Sequence, residues 1–175
     1  MAGRVLVAVS VVLALTACSA PPPAPSGNGL GQPVASITEL ADLVKQRAGA
    51  CNDVKPETHE YFTSFVGAQQ AELYKPFLDE WATCFVSPDF PKVGLVLFRD
   101  FKEFQASWRD AMTAGRVSDA PAFGFGNGFA VTQGYLATAK LGLFFLRCHY
   151  DDPKVHQVPA DVDGCVFANP EHRHH

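Results

Sequence analysis

The sequence predicts an α+β fold: a small antiparallel sheet with helices packed on one face, held by two disulfides. Three observations lead there. Residues 37–48 and 101–114 repeat apolar side chains at helical spacing, each behind a residue able to cap the first turn. Short runs with strand character stand between and after them, at 81–86, 92–98, 122–125, 129–132, 143–149 and 164–168. Cys51, Cys84, Cys148 and Cys165 form an even set spread along these elements. The 14 Phe supply large apolar area, so the chain can build a core. With a formal net charge of -4, 18% charged residues and no Lys/Arg cluster, it cannot neutralise a row of phosphates, and nucleic acid is excluded as a partner.

The chain starts with Arg4 followed by an apolar run, Val5 to Leu15. That run is too short for the roughly 20 residues a membrane-spanning helix needs, and it reads as the core of a signal peptide. It ends in Leu15-Thr16-Ala17-Cys18, a branched apolar residue, two small residues and a cysteine. This motif resembles the lipobox of bacterial lipoproteins. The resemblance implies cleavage between Ala17 and Cys18 and a diacylglyceryl thioether on Cys18. The membrane then becomes a partner through that lipid, and the protein is expected on the extracytoplasmic face of the cell membrane. The alternative is an ordinary signal peptide cut nearby, or an uncleaved anchor. Residues 19–36 are rich in Pro and Gly and carry no charge, as a tether would. The expected organisation is a signal peptide over 1–17, the lipidated cysteine and tether over 18–36, one α+β domain over 37–169 and a polar tail over 170–175.

Assigning Cys18 to lipid leaves the even set of four. Export favours oxidation, and three connectivities are open. Pairing Cys51 with Cys84 and Cys148 with Cys165 closes the shortest loops and is the expected arrangement. A four-Cys zinc site would want C-x2-C spacing, which the chain lacks.

In chain order, Ser36 and Glu39 have capping-box spacing. Ile37, Leu40, Ala41, Val44 and Ala48 share one face, and Gly49 suits the left-handed cap, so a helix is expected over 37–48. From Asn52 to Glu80, Tyr61, Phe62, Phe65 and Val66 recur as in a helix, as do Leu73, Phe77 and Leu78, with interruptions at Gly67 and Pro76. Trp81 to Val86 alternates bulky and small faces, and Lys92 to Phe98 is apolar on both faces, as in a strand covered on both sides or lying under a helix. Asp100 caps a helix whose inner stripe is Phe101, Phe104, Trp108, Ala111 and Met112, with Lys102, Glu103, Gln105, Arg109 and Asp110 facing water. Asn127-Gly128 predicts a type I′ hairpin turn that sets Gly124 opposite Val131 and Gly126 opposite Phe129. Tyr135 to Leu141 reads as a short helix ended by Gly142. Strands at Leu143–His149 and Gly164–Ala168 are then tied by the second disulfide across the loop 150–163.

The order helix, Cys, strand, Cys, strand, Trp-containing helix and Gly/Asn-rich strand is similar to that of small exported proteins and lipoproteins of high-GC Gram-positive bacteria. Cys51, Cys84, Val93, Leu95, Leu97, Phe98, Phe104, Trp108 and the run Gly126-Asn127-Gly128-Phe129-Ala130-Val131 carry the likeness. Where such proteins often have an acidic residue and a Trp, Asn127 and Phe129 stand here. The resemblance implies a location and a fold, and no reaction.

Catalytic and metal motifs are not evident in the sequence. There is no G-x-S-x-G, and the His59-Glu60 pair lacks the second His one turn on, Thr63 standing there. The run Phe123 to Phe129 lacks the spacing and following helix of a phosphate cradle. His149, Asp151, Asp152, Asp161 and Asp163 form the densest acidic group, without the full ligand series of a calcium loop. No catalytic residue, metal site or cofactor is expected. The sequence therefore favours a non-enzymatic binding or interaction domain at the envelope, with an envelope protein or glycan as partner. The alternatives are an envelope hydrolase or transferase without a linear motif, and a surface exclusion or immunity lipoprotein.

Overall fold

A computed structural model describes residues 29–117 and 123–173. The expected signal-peptide core, the expected cleavage point between Ala17 and Cys18, and most of the expected tether lie outside the described residues, as do Pro121, Ala122 and the last two histidines.

The first helix, α1 (Ile37–Ala48), begins and ends where its capping residues dictate. Ser36 Oγ accepts from Glu39 N–H at 3.2 Å, while Glu39 Oε2 reaches back to Ala35 N–H at 2.7 Å. Gly49 closes the helix at φ 91°, a conformation that costs glycine little. Cys51 then bonds Cys84, which fixes the exit of α1 to the sheet. The strand β1 (Asn52–Pro56) follows; its side chains are all exposed, and it pairs antiparallel with β2 (Leu78–Phe85).

Between them the chain forms α2 (His59–Val66), α3 (Ala68–Tyr74) and a 3-10 turn at Lys75–Phe77. Gly67 and Pro76 sit at the breaks, as the sequence signals. The strand β3 (Val93–Phe98) leads into α4 (Phe101–Thr113), capped by Asp100 Oδ1 on Glu103 N–H at 3.1 Å. A hairpin of β4 (Phe123–Gly126) and β5 (Phe129–Thr132) completes a five-stranded antiparallel sheet ordered β1-β2-β3-β5-β4. Its register is the expected one, Gly124 facing Val131 and Gly126 facing Phe129. The turn differs. Gly128 alone of the pair has positive φ, at 82°, so the type I′ geometry is not formed. Asn127 keeps an ordinary φ and donates its side-chain amide to Gly31 O at 3.2 Å.

A π-helical turn (Leu136–Lys140) leads to a three-stranded antiparallel sheet of β6 (Phe145–Cys148), β7 (Val155–Pro159) and β8 (Cys165–Arg173), ordered β6-β8-β7. Cys148 and Cys165 stand directly opposite each other and are bonded. A bridge between Phe125 and Phe144 links this sheet to β4.

The α+β class, the antiparallel pairing and both disulfides are as the sequence predicts. The helices, however, divide between the two faces of the large sheet. On one face Leu40 and Val44 of α1 pack with Ala82, Cys84, Val93, Leu95 and Val131. On the other, Phe62, Tyr74, Phe104 and Trp108 from α2, α3 and α4 pack with Trp81, Val96, Ala130 and Phe123, and with Leu146 and Phe167 of the small sheet. The reason lies in β3, whose successive residues Leu95 and Val96 are both fully buried and project to opposite sides, so each face needs its own cover. Fully burying one such side chain is worth about 1.5–3 kcal/mol, and exposing either face of β3 would forfeit several of them.

Three further expectations change. Order starts before Ser36: Leu30 is already buried in the second core, and Val34 packs against the first. Residues 170–173, expected in the polar tail, belong to β8, which continues through Pro170 to Arg173, paired with Val155. Gln105, expected in water, is fully buried. Its Nε2 donates to Asp161 Oδ2 at 2.7 Å and its Oε1 accepts from Asp161 N–H at 2.8 Å, so both halves of the amide are used to hold the 160s loop on α4.

Candidate functional site

The carboxylates and histidines singled out in the sequence do not converge. His59 and Glu60 are exposed at the start of α2, where Thr58 Oγ1 caps the helix by accepting from Tyr61 N–H. Glu57 accepts from Thr83 Oγ1 at 2.9 Å. In the acidic loop, Asp152 Oδ1 accepts from Lys154 N–H at 3.0 Å and Asp161 is committed to Gln105. His149, at φ 56°, lies 3.2 Å by its Nε2 from Thr113 Oγ1. Among the described residues no three His, Cys, Asp or Glu side chains gather as a metal site would require. The four cysteines assigned to disulfides are paired Cys51–Cys84 and Cys148–Cys165.

The structure instead builds a cleft from segments that are far apart in sequence. It has a volume of about 370 Å³ and is lined by Phe65 and Val66 at the end of α2, Gln70 of α3, Phe123 at the start of β4, and Thr132 and Gln133 after β5. Its floor is rigid. Phe123 is 1% exposed and stacks on Tyr74 with centroids 4.4 Å apart, and Tyr74 in turn packs on Phe104 at 4.8 Å. Thr132 Oγ1 accepts from Gly94 N–H at 2.7 Å, which fixes that hydroxyl to the central strand. Gly94 has no side chain because a Cβ there would lie 2.7 Å from Thr132 Cγ2 and 3.0 Å from Phe65 Cε1; the missing atom lets both line the cleft. Phe65 is braced from behind by Trp81, with centroids 5.6 Å apart.

The rim is polar and neutral. Gln133 is exposed and held at φ 67°, a left-handed conformation that costs a non-glycine residue about 1–3 kcal/mol. It persists because the next residues lock it: Ala137 N–H donates to Gln133 O at 3.0 Å and Thr138 Oγ1 donates to Gly134 O at 2.9 Å. Gln70 and Gln133 make no side-chain hydrogen bond to another described residue, so both amides are free to meet a ligand. Among the described residues, every side chain lining the cleft is uncharged. The nearest perturbed group is Tyr74 beneath the floor, whose phenol burial pushes well above its ordinary value; it stays neutral.

A second, smaller depression of about 290 Å³ lies over β1 and β2, lined by Asp53, Lys55, Glu57, Thr83 and Lys92 among others. Lys92 Nζ sits 4.5 Å from the centre of the Tyr61 ring and also bonds its hydroxyl. Of its other groups, Glu57 and Thr83 are bonded to each other. The sequence did not single out Gln70 or Gln133 as site residues. No local pattern marks Gln70, and the one trace of Gln133 is its place between the end of a strand and Gly134.

By fold and cleft, the described residues form a small disulfide-linked α+β domain with a neutral, aromatic-floored pocket. Compared with protein-family models, curated proteins and solved structures, the chain matches none.

Proposed function

We propose that this chain is a lipid-anchored protein of the extracytoplasmic face of the cell membrane, and that its domain is a non-enzymatic binding module for an envelope component. The observation that carries the reading is Leu15-Thr16-Ala17-Cys18 at the end of an apolar run, followed by an uncharged Pro/Gly-rich stretch. Two disulfides fit the same compartment, since such bonds persist in oxidising surroundings. A single acyl chain gives marginal membrane binding, whereas the diacylglyceryl group implied by the lipobox supplies the two chains that stable anchoring needs. The binding half of the proposal is supported by the neutral cleft, whose free amides and half-buried Phe65 ring suit recognition.

Cys18→Ser tests the anchor. The native chain is expected in the membrane fraction, and the variant is expected to be uncleaved or released, with its domain equally resistant to protease. A variant that fractionates with the membrane in the same processed form as the native chain would overturn the proposal.

A further inference from the structure

We infer that the cleft between α2, α3 and the end of β5 binds an acetamido sugar, an inference that rests on the envelope-binding reading and names the ligand class for it. Four properties of the site select this chemistry. Among the described residues the lining carries no charge, so neither a carboxylate nor a phosphate finds a counter-ion among them. One wall is the half-buried ring of Phe65, an apolar face against which the C–H side of a pyranose can lie, with the buried Phe123 beneath the floor. Each free carboxamide of Gln70 and Gln133 offers a donor and an acceptor, the complement of the N–H and C=O of an acetamido group. The volume of about 370 Å³ lies at the small end of the range of ligand sites and suits a sugar unit better than an extended peptide.

The strained backbone adds a fifth observation. Gln133 occupies a left-handed conformation at which glycine would be unstrained, and the fold places a long amide there, at the cleft rim. If the residue served only to turn the chain into the π-helical turn, glycine would serve better.

The test uses the mature lipidated chain in detergent micelles and N,N′-diacetylchitobiose as probe, followed by backbone and side-chain amide chemical shifts. Cellobiose, which has hydroxyls in place of the acetamido groups, is the control. Saturable shifts are expected at Gln70, Gln133 and Thr132, with a Kd on the order of 1 mM. Cellobiose is expected to bind about tenfold more weakly, since it leaves the amide pairs unmade. Gln70→Ala is expected to weaken binding about fivefold with an unchanged melting temperature. Gln133→Gly separates the two roles: it should weaken binding by a similar factor while leaving the domain as stable or more stable. Shifts confined to other surfaces, no saturable shift, an equal response to cellobiose, or native affinity in Gln133→Gly would each overturn the inference. Membrane anchorage through Cys18 with no sugar binding would sink this inference alone. Sugar binding by a native chain whose Cys18 proves to be unmodified would sink the anchor alone.

Discussion

Replacing Gly124 by Ala should destabilise the domain through one identifiable contact. A Cβ at this position would lie 2.3 Å from Ala137 Cβ and 3.2 Å from Leu143 Cβ. Ordinary carbon contacts are about 3.5–4.0 Å, so the two methyl groups must separate by more than about 1 Å. Neither has a torsion that can do so, because each Cβ moves only with its backbone. The backbone at Ala137 is tied on both sides, its N–H to Gln133 O at 3.0 Å and its O to Leu143 N–H at 2.9 Å. Overpacking of this kind costs about 1–3 kcal/mol. For a domain of this size that corresponds to a melting temperature roughly 3–10 °C lower. Thermal unfolding followed by circular dichroism measures the shift. The decisive variant is Gly124→Ala with Ala137→Gly, which removes the opposing methyl group. The double variant should be less destabilised than the sum of the singles by about 1 kcal/mol or more. Strict additivity, or a Gly124→Ala variant as stable as the native chain, would refute the packing of the 136–140 turn against β4.

Three other outcomes are expected. Thiol titration under denaturing, non-reducing conditions should find none free among Cys51, Cys84, Cys148 and Cys165. Each bridge, closing separations of 33 and 17 residues, should contribute about 3–4 kcal/mol that is lost on reduction. Gln105→Ala removes both bonds to Asp161 and should cost about 1–3 kcal/mol by urea unfolding, with increased amide exchange at Asp161 and Val162. Tyr74 is buried neutral, so its folded pKa is raised above the unfolded value of 10.0. The stability this provides is complete below that value and is lost as pH rises through the folded pKa. Tyr74→Phe should therefore flatten the alkaline limb of the stability profile, and an unchanged limb would remove Tyr74 from that role.

Where physical signals are local, the sequence was sufficient. Ser36 and Gly49 bound α1, Asp100 opens α4, and the glycines of β4 fix its register against Val131 and Phe129. Edge strands gave no such signal. Asn52–Pro56 is exposed throughout, irregular in register and ended by Pro, all features that blunt an edge, so it shows no alternation to read. Val155–Pro159 is likewise an edge, short and closed by Pro. The division of helices between two faces was present in the doubly apolar run Lys92 to Phe98, but α1 and α4 are equally amphipathic whichever face they cover. Gln105 was misplaced because its partner is Asp161, 56 residues away. The cleft was illegible for the same reason. It is assembled from the ends of α2, α3, β4 and β5, and its two amides acquire meaning only when the sheet brings them together.

The central claim is that Cys18 holds this domain to the membrane. Intact mass of the membrane-extracted chain, followed by fragmentation of its first peptide, tests it most directly. The expected result is a mature chain that starts at Cys18 and carries the mass of a diacylglyceryl thioether on that residue. A mature chain that begins at another residue, or one with an unmodified Cys18, would contradict it.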